Sequence, residues 1–374
     1  MTAPTFVDLF AGAGGFSYGL GSAGWTGLLA IDNWGDAVQT YQKNFGGHAI
    51  WETDVALVDQ QRLRSHMEGD PDWVVGGPPC QGFSTVGKRQ RSDSRNQLFL
   101  EFMRIVKLLK PQGFVLENVL GLKDMKFVDD VVEVFSELGY RVSPMVLRSA
   151  DFGVPQLRRR VVFVGHQEFG YFLGPLPSNT GRGFVTVWDA IGDLPEVGPG
   201  ETATEYDKQP FTDYQSSRRL GSVELQGHTV SNHPPHLVKA ISFIPDGGNR
   251  LAIPDEFQPA SGFHNSYSRL SSKAPAVAIT SNMGKPSATR CIHPFQHRGL
   301  TAREGARLQS FSDSFHFSGG VVSQRLQVAN AVPPLLAEAI GIALLDEKRW
   351  SDEPPSWGLR NQSSLFEVSE VALA

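Results

Sequence analysis

Short apolar runs alternate with helical spacings through the N-terminal part of the chain. Residues 5–10 read TFVDLF, a short buried strand, and the glycine turn AGAGG follows before a segment that can be helical. Further strands are expected at 28–31, 73–75, 114–116 and 161–164. Between them Phe99, Phe102, Val106 and Leu109 recur at helical spacing, and Pro111 stops that helix. Strands alternating with helices predict an α/β fold, a doubly wound, mostly parallel sheet with ligands at the C-terminal ends of its strands. After about residue 170 the texture turns to Pro, Gly, Ser and Thr with short apolar runs, and no long helical period returns until Leu300. That predicts a second, smaller and loop-rich domain. A helix is expected from Thr301 along AREGARLQSF, and another over 332–345, opened by Pro333 and Pro334 in its first turn. The expected division is a catalytic domain at 1–169, a smaller domain at 170–290 and a return segment at 291–347 that completes the first domain. A tail at 348–374 mixes Pro, Ser and charge and is expected to pack poorly.

Composition narrows the class. A chain of 374 residues, 40% hydrophobic and 20% charged, can bury a substantial core, which excludes wholesale disorder and a disulfide-stapled miniprotein. Lys+Arg 34 against Asp+Glu 39 leaves a net charge of −5, which excludes a histone-like, wholly basic protein but leaves room for a local basic face. Two cysteines, Cys80 and Cys291, are too few for a disulfide framework or a four-cysteine zinc site, and they fit a reducing cytoplasm. The N-terminal MTAPTFVDLFAGAGG lacks a basic region before an apolar core, and no run approaches the roughly 18 apolar residues that span a bilayer. The expectation is a protein neither exported nor membrane-embedded.

Several polar residues stand at the ends of the predicted strands. The glycine turn can bring a nucleotide close to the sheet edge, and Asp32 ends the second strand about 20 residues later, where a carboxylate can accept hydrogen bonds from a ribose. Asp54 could similarly reach an adenine amino group, although an isolated Asp in a loop is more often a cap. In GGPPCQGFS two prolines fix the backbone before Cys80, which follows an apolar run instead of lying inside one. That placement favours a nucleophile over a structural thiol, and a nucleophile needs a cation or proton acceptor nearby. The loop beyond it carries Lys88, Arg89, Arg91 and Arg95 against Asp93, a solvated loop by itself and a phosphate clamp beside a nucleophile. Glu117 and Asn118 follow a buried strand, where an ionised glutamate is costly without a partner, so a proton-donor role is expected. At strand spacing Gln156, Arg158 and Arg160 share one face, with Leu157 and Arg159 on the other.

In this order, FVDLFAGAGGFSYGL, the Asp32 region, GGPPCQGFS, LENV, QLRRR, RGLTAREGARLQSF and NAVPP resemble the DNA (cytosine-5)-methyltransferases of the bacterial type along nearly the whole chain. The resemblance implies a Rossmann-like, S-adenosylmethionine-dependent catalytic domain, no metal, and duplex DNA as the substrate, with the target cytosine flipped out of the stack. It makes Cys80 the nucleophile toward cytosine C6. Glu117 would bind and protonate N3, Asn118 would order the site, and Arg158 and Arg160 would position the base, supported by Gln156. Phe10, Gly12, Gly14, Asp32, Asp54, Val55, Pro79, Leu98, Asn330 and Ala331 would line the cofactor pocket. Three positions depart from the usual pattern: Ala329 where Gly precedes the Asn, Ser312 where Pro is usual, and Asp32 where Glu is frequent.

The resemblance places target recognition between the arginine-rich strand and LTAREGARLQ, with its variable part at about 196–264. Tyr206, Tyr214, Arg218, Arg219, His228, His233 and His236 are candidate contacts there, and Gln81, Ser84, Lys88, Arg89 and Arg91 are candidates in the loop after Cys80. The histidines lack metal-site spacing. A monomer is expected, accompanied by a restriction endonuclease or other phage-defence component. Two alternatives remain: a relative acting on tRNA, whose extra Cys-Phe-Thr signature this chain lacks, and a catalytically silent DNA-binding regulator, which would not need Cys80, Glu117, Arg158 and Arg160.

Overall fold

A computed structural model describes residues 2–67, 69–79, 97–119, 125–178, 183–259, 266–288 and 290–355. The five expected strands are present: β1 (Thr5–Leu9), β2 (Thr26–Asp32), β4 (Trp73–Gly76), β5 (Gly113–Val119) and β7 (Arg159–His166). Two more, β3 (Ala49–Glu52) and β6 (Arg141–Arg148), complete a sheet ordered β3-β2-β1-β4-β5-β7-β6. These two occupy its edges, where one flank faces solvent and the apolar run is diluted by polar residues. Neighbours from β3 to β5 pair in parallel, whereas β7 runs antiparallel to both β5 and β6. Reversing β7 brings its N-terminal arginines to the same sheet edge as the C-terminal ends of β1, β2, β4 and β5.

Both faces of the sheet are covered. Along the chain α1 (Gly15–Ser22) joins β1 to β2, while α2 (Gly35–Asn44) precedes β3 and α3 (Gln60–His66) follows it. On one face α4 (Gln97–Leu109) and α5 (Met125–Glu137) pack through Phe102 and Phe135 onto Phe114, whose ring stacks on Phe135 with centroids 4.1 Å apart. On the other, α1 packs against α11 (Pro334–Leu344), which returns from the far end of the sequence and buries Leu336, Ala337 and Ile340. The sequence pattern conceals α10 (Val321–Asn330), whose buried Arg325 and Gln327 interrupt its apolar period. Val321–Leu344 is long and apolar enough to pass for a membrane span by composition, yet it is two helices broken before Pro334 and is 67% buried. The tail needs a correction: Trp350–Ser351 (β9) pairs antiparallel with Tyr171–Phe172 (β8), and Trp350 packs on Phe172, so the chain stays docked past Lys348. Residues 356–374 lie outside the described residues.

The loop-rich part holds only short helices: α6 (Val187–Ile191), α7 (Asp213–Arg219) and α8 (Pro235–Ser242). Its main core joins Val187, Ile191 and Leu194 to Ala306 and Leu308 on α9 (Ala302–Leu308) and to Phe311 and Phe315 just beyond that helix. A separate small core of Ala240, Ile241, Ile244 and Ile253 lies mostly within 196–264 and touches Ile292. The joint between the two is a buried arginine. Arg269 donates to the carbonyl oxygens of Ile241, Ile244, His293 and Gln296, at 2.5–2.8 Å.

Candidate active site

A cavity of about 440 Å³ opens at the edge where the parallel strands end. The turn after β1 forms one wall. Phe10 adopts a left-handed backbone (φ 57°), a strained conformation for a bulky residue and one found at ligand sites. Gly12 N–H donates to Asp32 Oδ2 and Trp34 N–H to Oδ1, both at 2.8 Å, so the carboxylate at the end of β2 staples the turn and keeps a lone pair on each oxygen. Burial raises the Asp32 carboxyl, against these backbone donors. Asp54 accepts from Ala56 N–H at 2.9 Å, the cap expected of a loop aspartate, and it lines the cavity together with Val55, Pro79 and Leu98. Asn330 and Ala331 close the opposite side. Gly14 needs a correction. It is absent from the cavity lining, its φ of 92° caps α1, and a Cβ there would collide with the Phe45 ring.

The far end of the cavity is ionic. Glu117, 8% exposed, meets Arg160 with Nε 2.7 Å from Oε1, an ion pair whose N–H is not aimed at the oxygen. The partner that a buried glutamate requires is therefore present, supplied by the reversed strand. A Cβ on Gly77 would stand 3.1 Å from Glu117 Oε2, a tight approach that a larger residue would keep only by shifting the carboxylate. Cys80, Gln81, Ser84, Lys88, Arg89 and Arg91 lie outside the described residues. Arg158 is 3% exposed and donates to Ala329 O at 3.0 Å. Burial, reinforced by the charge of Arg160, lowers its guanidinium to about 9, and burial lowers Arg160 as well. Arg158 Nε and Arg160 Nε have no hydrogen-bond partner among the described residues, and both arginines line the cavity. Two buried guanidiniums next to a carboxylate make this end of the cavity strongly polar. Asn118, 5% exposed, lines the same end.

Gln156 is placed differently from the expected support of the arginines. Its amide donates to Leu308 O and Gln309 Oε1 and accepts from Ile279 N–H, which ties the start of β7 to the loop-rich part. The recognition candidates have partners within the protein. Tyr206 hydroxyl donates to Asp313, Tyr214 hydroxyl to Arg307 O, and His228 is wholly buried between Thr301 and Pro195 O. His233 is 8% exposed, with Gly299 N–H donating to its Nε2. Arg218 donates to Ser310 O, and Arg219 donates to Lys208 O while lying over the Tyr206 ring. These side chains hold the framework. Of the group only His236 is exposed without such a tie. Among the described residues no cluster could hold a metal ion.

Two further features are only faintly marked in the sequence. Asp8, one residue in from the end of β1, also lines the cavity, and its one signal is a lone carboxylate inside an apolar run. The second is a set of buried ion pairs on α9: Arg298 with Glu304 at 2.7 Å, and Arg307 with Asp313 at 2.6 Å and Asp193 at 3.1 Å. Burial alone would raise the Glu304 carboxyl, but Arg298 holds it far below the usual range, and Arg307 does the same for Asp313.

A doubly wound sheet with a nucleoside-sized cavity leading to a Glu–Arg pair defines a group-transfer enzyme. The chain belongs to the C-5 cytosine-specific DNA methylase family, whose model matches residues 4–346. It is similar to the type II methyltransferase M1.HphI of Haemophilus parahaemolyticus, 41% identical over 91% of this chain and 86% of that protein. The type II methyltransferase M.DdeI of Desulfomicrobium norvegicum is 37% identical over 89% of this chain and 86% of its own length. Among solved structures, a prophage-encoded E. coli protein described as a DNA modification methyltransferase superposes with a TM-score of 0.72 at 26% identity, over 91% of this chain and 98% of that one. The activity is cytosine-5 methylation of DNA, and enzymes of this family use S-adenosylmethionine.

Proposed function

We propose that this enzyme methylates one cytosine within a specific duplex sequence, as the modification partner of a restriction endonuclease, and that the cavity holds S-adenosylmethionine and the flipped target base end to end. The observation that carries this is the single cavity shared by Asp32 and Asp54 at one end and Glu117, Arg158 and Arg160 at the other. The residues suit the cofactor: Asp32 keeps acceptor capacity for ribose hydroxyls, and Asp54, Gly12, Ala331 and Pro79 line the same cavity. Bound S-adenosylmethionine supplies an electrophilic methyl group.

The chain's own residues make the base reactive. The thiolate of Cys80 adds to C6, forming a C–S bond. Glu117 donates a proton to N3, held in place by Arg160, so the electron pair displaced from the ring makes C5 an enamine carbon. Arg158 and Arg160, which line the cavity beside Glu117, position the base, and Asn118 orders that end of the site. After methylation water takes the C5 proton, the C–S bond breaks with its electron pair leaving as the Cys80 thiolate, and N3 returns its proton to Glu117, restoring the aromatic ring. Flipping the base costs a few kcal/mol of stacking, which phosphate contacts from Lys88, Arg89 and Arg91 offset without reading sequence. Site choice belongs to the segment at about 196–264.

With duplex carrying 5-fluorocytosine at the target, the wild type should form an adduct that survives denaturation, because fluorine cannot leave as the C5 proton does. Cys80→Ala should form none and should leave no methylated cytosine in base-resolution sequencing of DNA from expressing cells, while still binding duplex. Near-normal methylation by the variant would end this reading.

A further inference from the structure

Helix α10 touches both the cavity and the loop-rich part. Its C-terminal end belongs to the cavity, which Gln327, Ala329 and Asn330 line, and Ala329 O accepts from Arg158 at 3.0 Å. One helical turn earlier, about 6 Å along the axis, stands Arg325, 4% exposed. It donates to Ser231 Oγ at 2.7 Å and to Thr229 O at 3.3 Å, both within 196–264. The face of its guanidinium lies on Gly284, where a Cβ would collide with the guanidinium carbon and two of its nitrogens.

Gly284 belongs to a turn with a fixed backbone. Met283 is wholly buried, and its sulfur lies so close to Gly305 of α9 that a Cβ there would collide with it. Leu300 N–H donates to Met283 O at 2.8 Å. Ahead of the turn, Leu157 N–H donates to Ala276 O at 2.7 Å and Ile279 N–H to Gln156 Oε1 at 2.9 Å, which hangs the turn from the residues beside Arg158. The tip is different in kind. Thr280, Ser281, Asn282 and Lys285 are exposed, and their side chains make no hydrogen bond among the described residues. Free polar side chains on a fixed backbone suit a ligand-contacting surface, because little backbone ordering remains to oppose binding.

We propose that Arg325 is a positioning residue for target recognition. Through α10 it holds the Thr229–Ser231 stretch and the 280–285 turn in register with Arg158 and Arg160, so that Asn282 and Lys285 meet the duplex beside the flipped cytosine. The proposal rests on the reading that the loop-rich part chooses the site. Arg269, Arg298 and Arg307 also fasten that part, but none of them stands on a segment that lines the cavity. Loosening those three would loosen the fold, whereas loosening Arg325 would slide the reading surface against the base. A misplacement of about 1 Å is enough to cost about 100-fold in rate.

The test uses full-length wild type, Arg325→Met and Gly284→Ala. Arg325→Met keeps a long apolar stem and removes the donors, while Gly284→Ala keeps the donors and pushes the guanidinium off its seat. The wild type's methylated sequence is first read at base resolution from expressing cells. Then kcat/KM is measured on that duplex and on duplexes with one flanking base pair changed. In both variants the ratio of the two should fall by at least about tenfold, since each mismatch is discriminated only by contacts in register. Calorimetric affinity for S-adenosylmethionine should stay within about twofold of the wild type. A lowered melting temperature with an unchanged ratio is the result of a merely structural role, and it overturns the proposal. Should Arg325→Met not fold, Gly284→Ala decides by the same ratio. Asn282→Ala and Lys285→Ala alter only exposed side chains, and each should raise KM for the duplex by at least about threefold. An unchanged KM in both overturns the placement of the turn and the proposal with it. A wild type that leaves no methylated cytosine overturns the proposed function, whereas a selective wild type beside an equally selective Arg325→Met overturns only the role of Arg325.

Discussion

Asp32 would couple two tasks through one carboxylate, since the side chain that staples Gly12 and Trp34 also lines the cavity. Replacing it with alanine should weaken S-adenosylmethionine binding by about 1.5–3 kcal/mol, the range for hydrogen bonds to a charged group, and should lower turnover at saturating cofactor much less. Calorimetry with unchanged affinity would remove Asp32 from the pocket. Asp32, Glu117, Arg158 and Arg160 were legible in the sequence because each ends or begins an apolar run, which marks a strand end facing a ligand. Asp8 was not, because it lies within such a run, where the period of the strand hides it. The buried tyrosines and histidines of the loop-rich part were not legible either. Their hydroxyls and rings meet carbonyls and carboxylates far away in sequence, and spacing gives no sign of such partners.

At the scale of elements, α9 departs furthest from what its charge implies. Thr301 caps it and Glu304 returns a bond to the Thr301 N–H, the capping box its sequence announces. Yet Arg303, Glu304 and Arg307 are all at most 1% exposed. Charged residues at helical spacing normally mark a solvated face, and here they form the joint between the sheet and the loop-rich part. Glu304→Gln would leave Arg298 buried without its counter-charge and should cost about 3–5 kcal/mol at neutral pH. The acid side has a definite sign. Glu304 and Asp313 titrate below their unfolded values, so each adds stability that is present above about pH 4 and lost as pH falls through the folded value. Thermal melts from pH 7 to 3 should therefore show a lower starting point and a shallower acid slope for the variant. Superimposable curves would show that the pair does not stabilise the fold.

For the whole molecule, the alternating apolar runs were enough to read a doubly wound sheet. They could not show that β7 runs backwards, because side-chain periodicity is the same in either direction, and it is this reversal that sets Arg160 beside Glu117. Nor could they separate the two cores of the loop-rich part, whose members are scattered from Val187 to Ala331. Exchanging residues 196–264 for the counterpart of a relative should change the methylated sequence and leave the chemistry intact. A chimaera that is active on the original site, read at base resolution, would place recognition in the loop after Cys80. Arg269 bears on how readily such exchanges succeed. It grips the small core on one side and the frame on the other entirely through main-chain carbonyls and a histidine of the frame, His297. Every polypeptide offers carbonyls, whatever its side chains, so this one grip is indifferent to the residues of the segment, whereas the ties through Tyr206, Tyr214, Arg218 and His228 depend on them. A grafted segment would therefore keep the Arg269 grip by the course of its backbone alone, and would keep those four ties only by carrying their side chains.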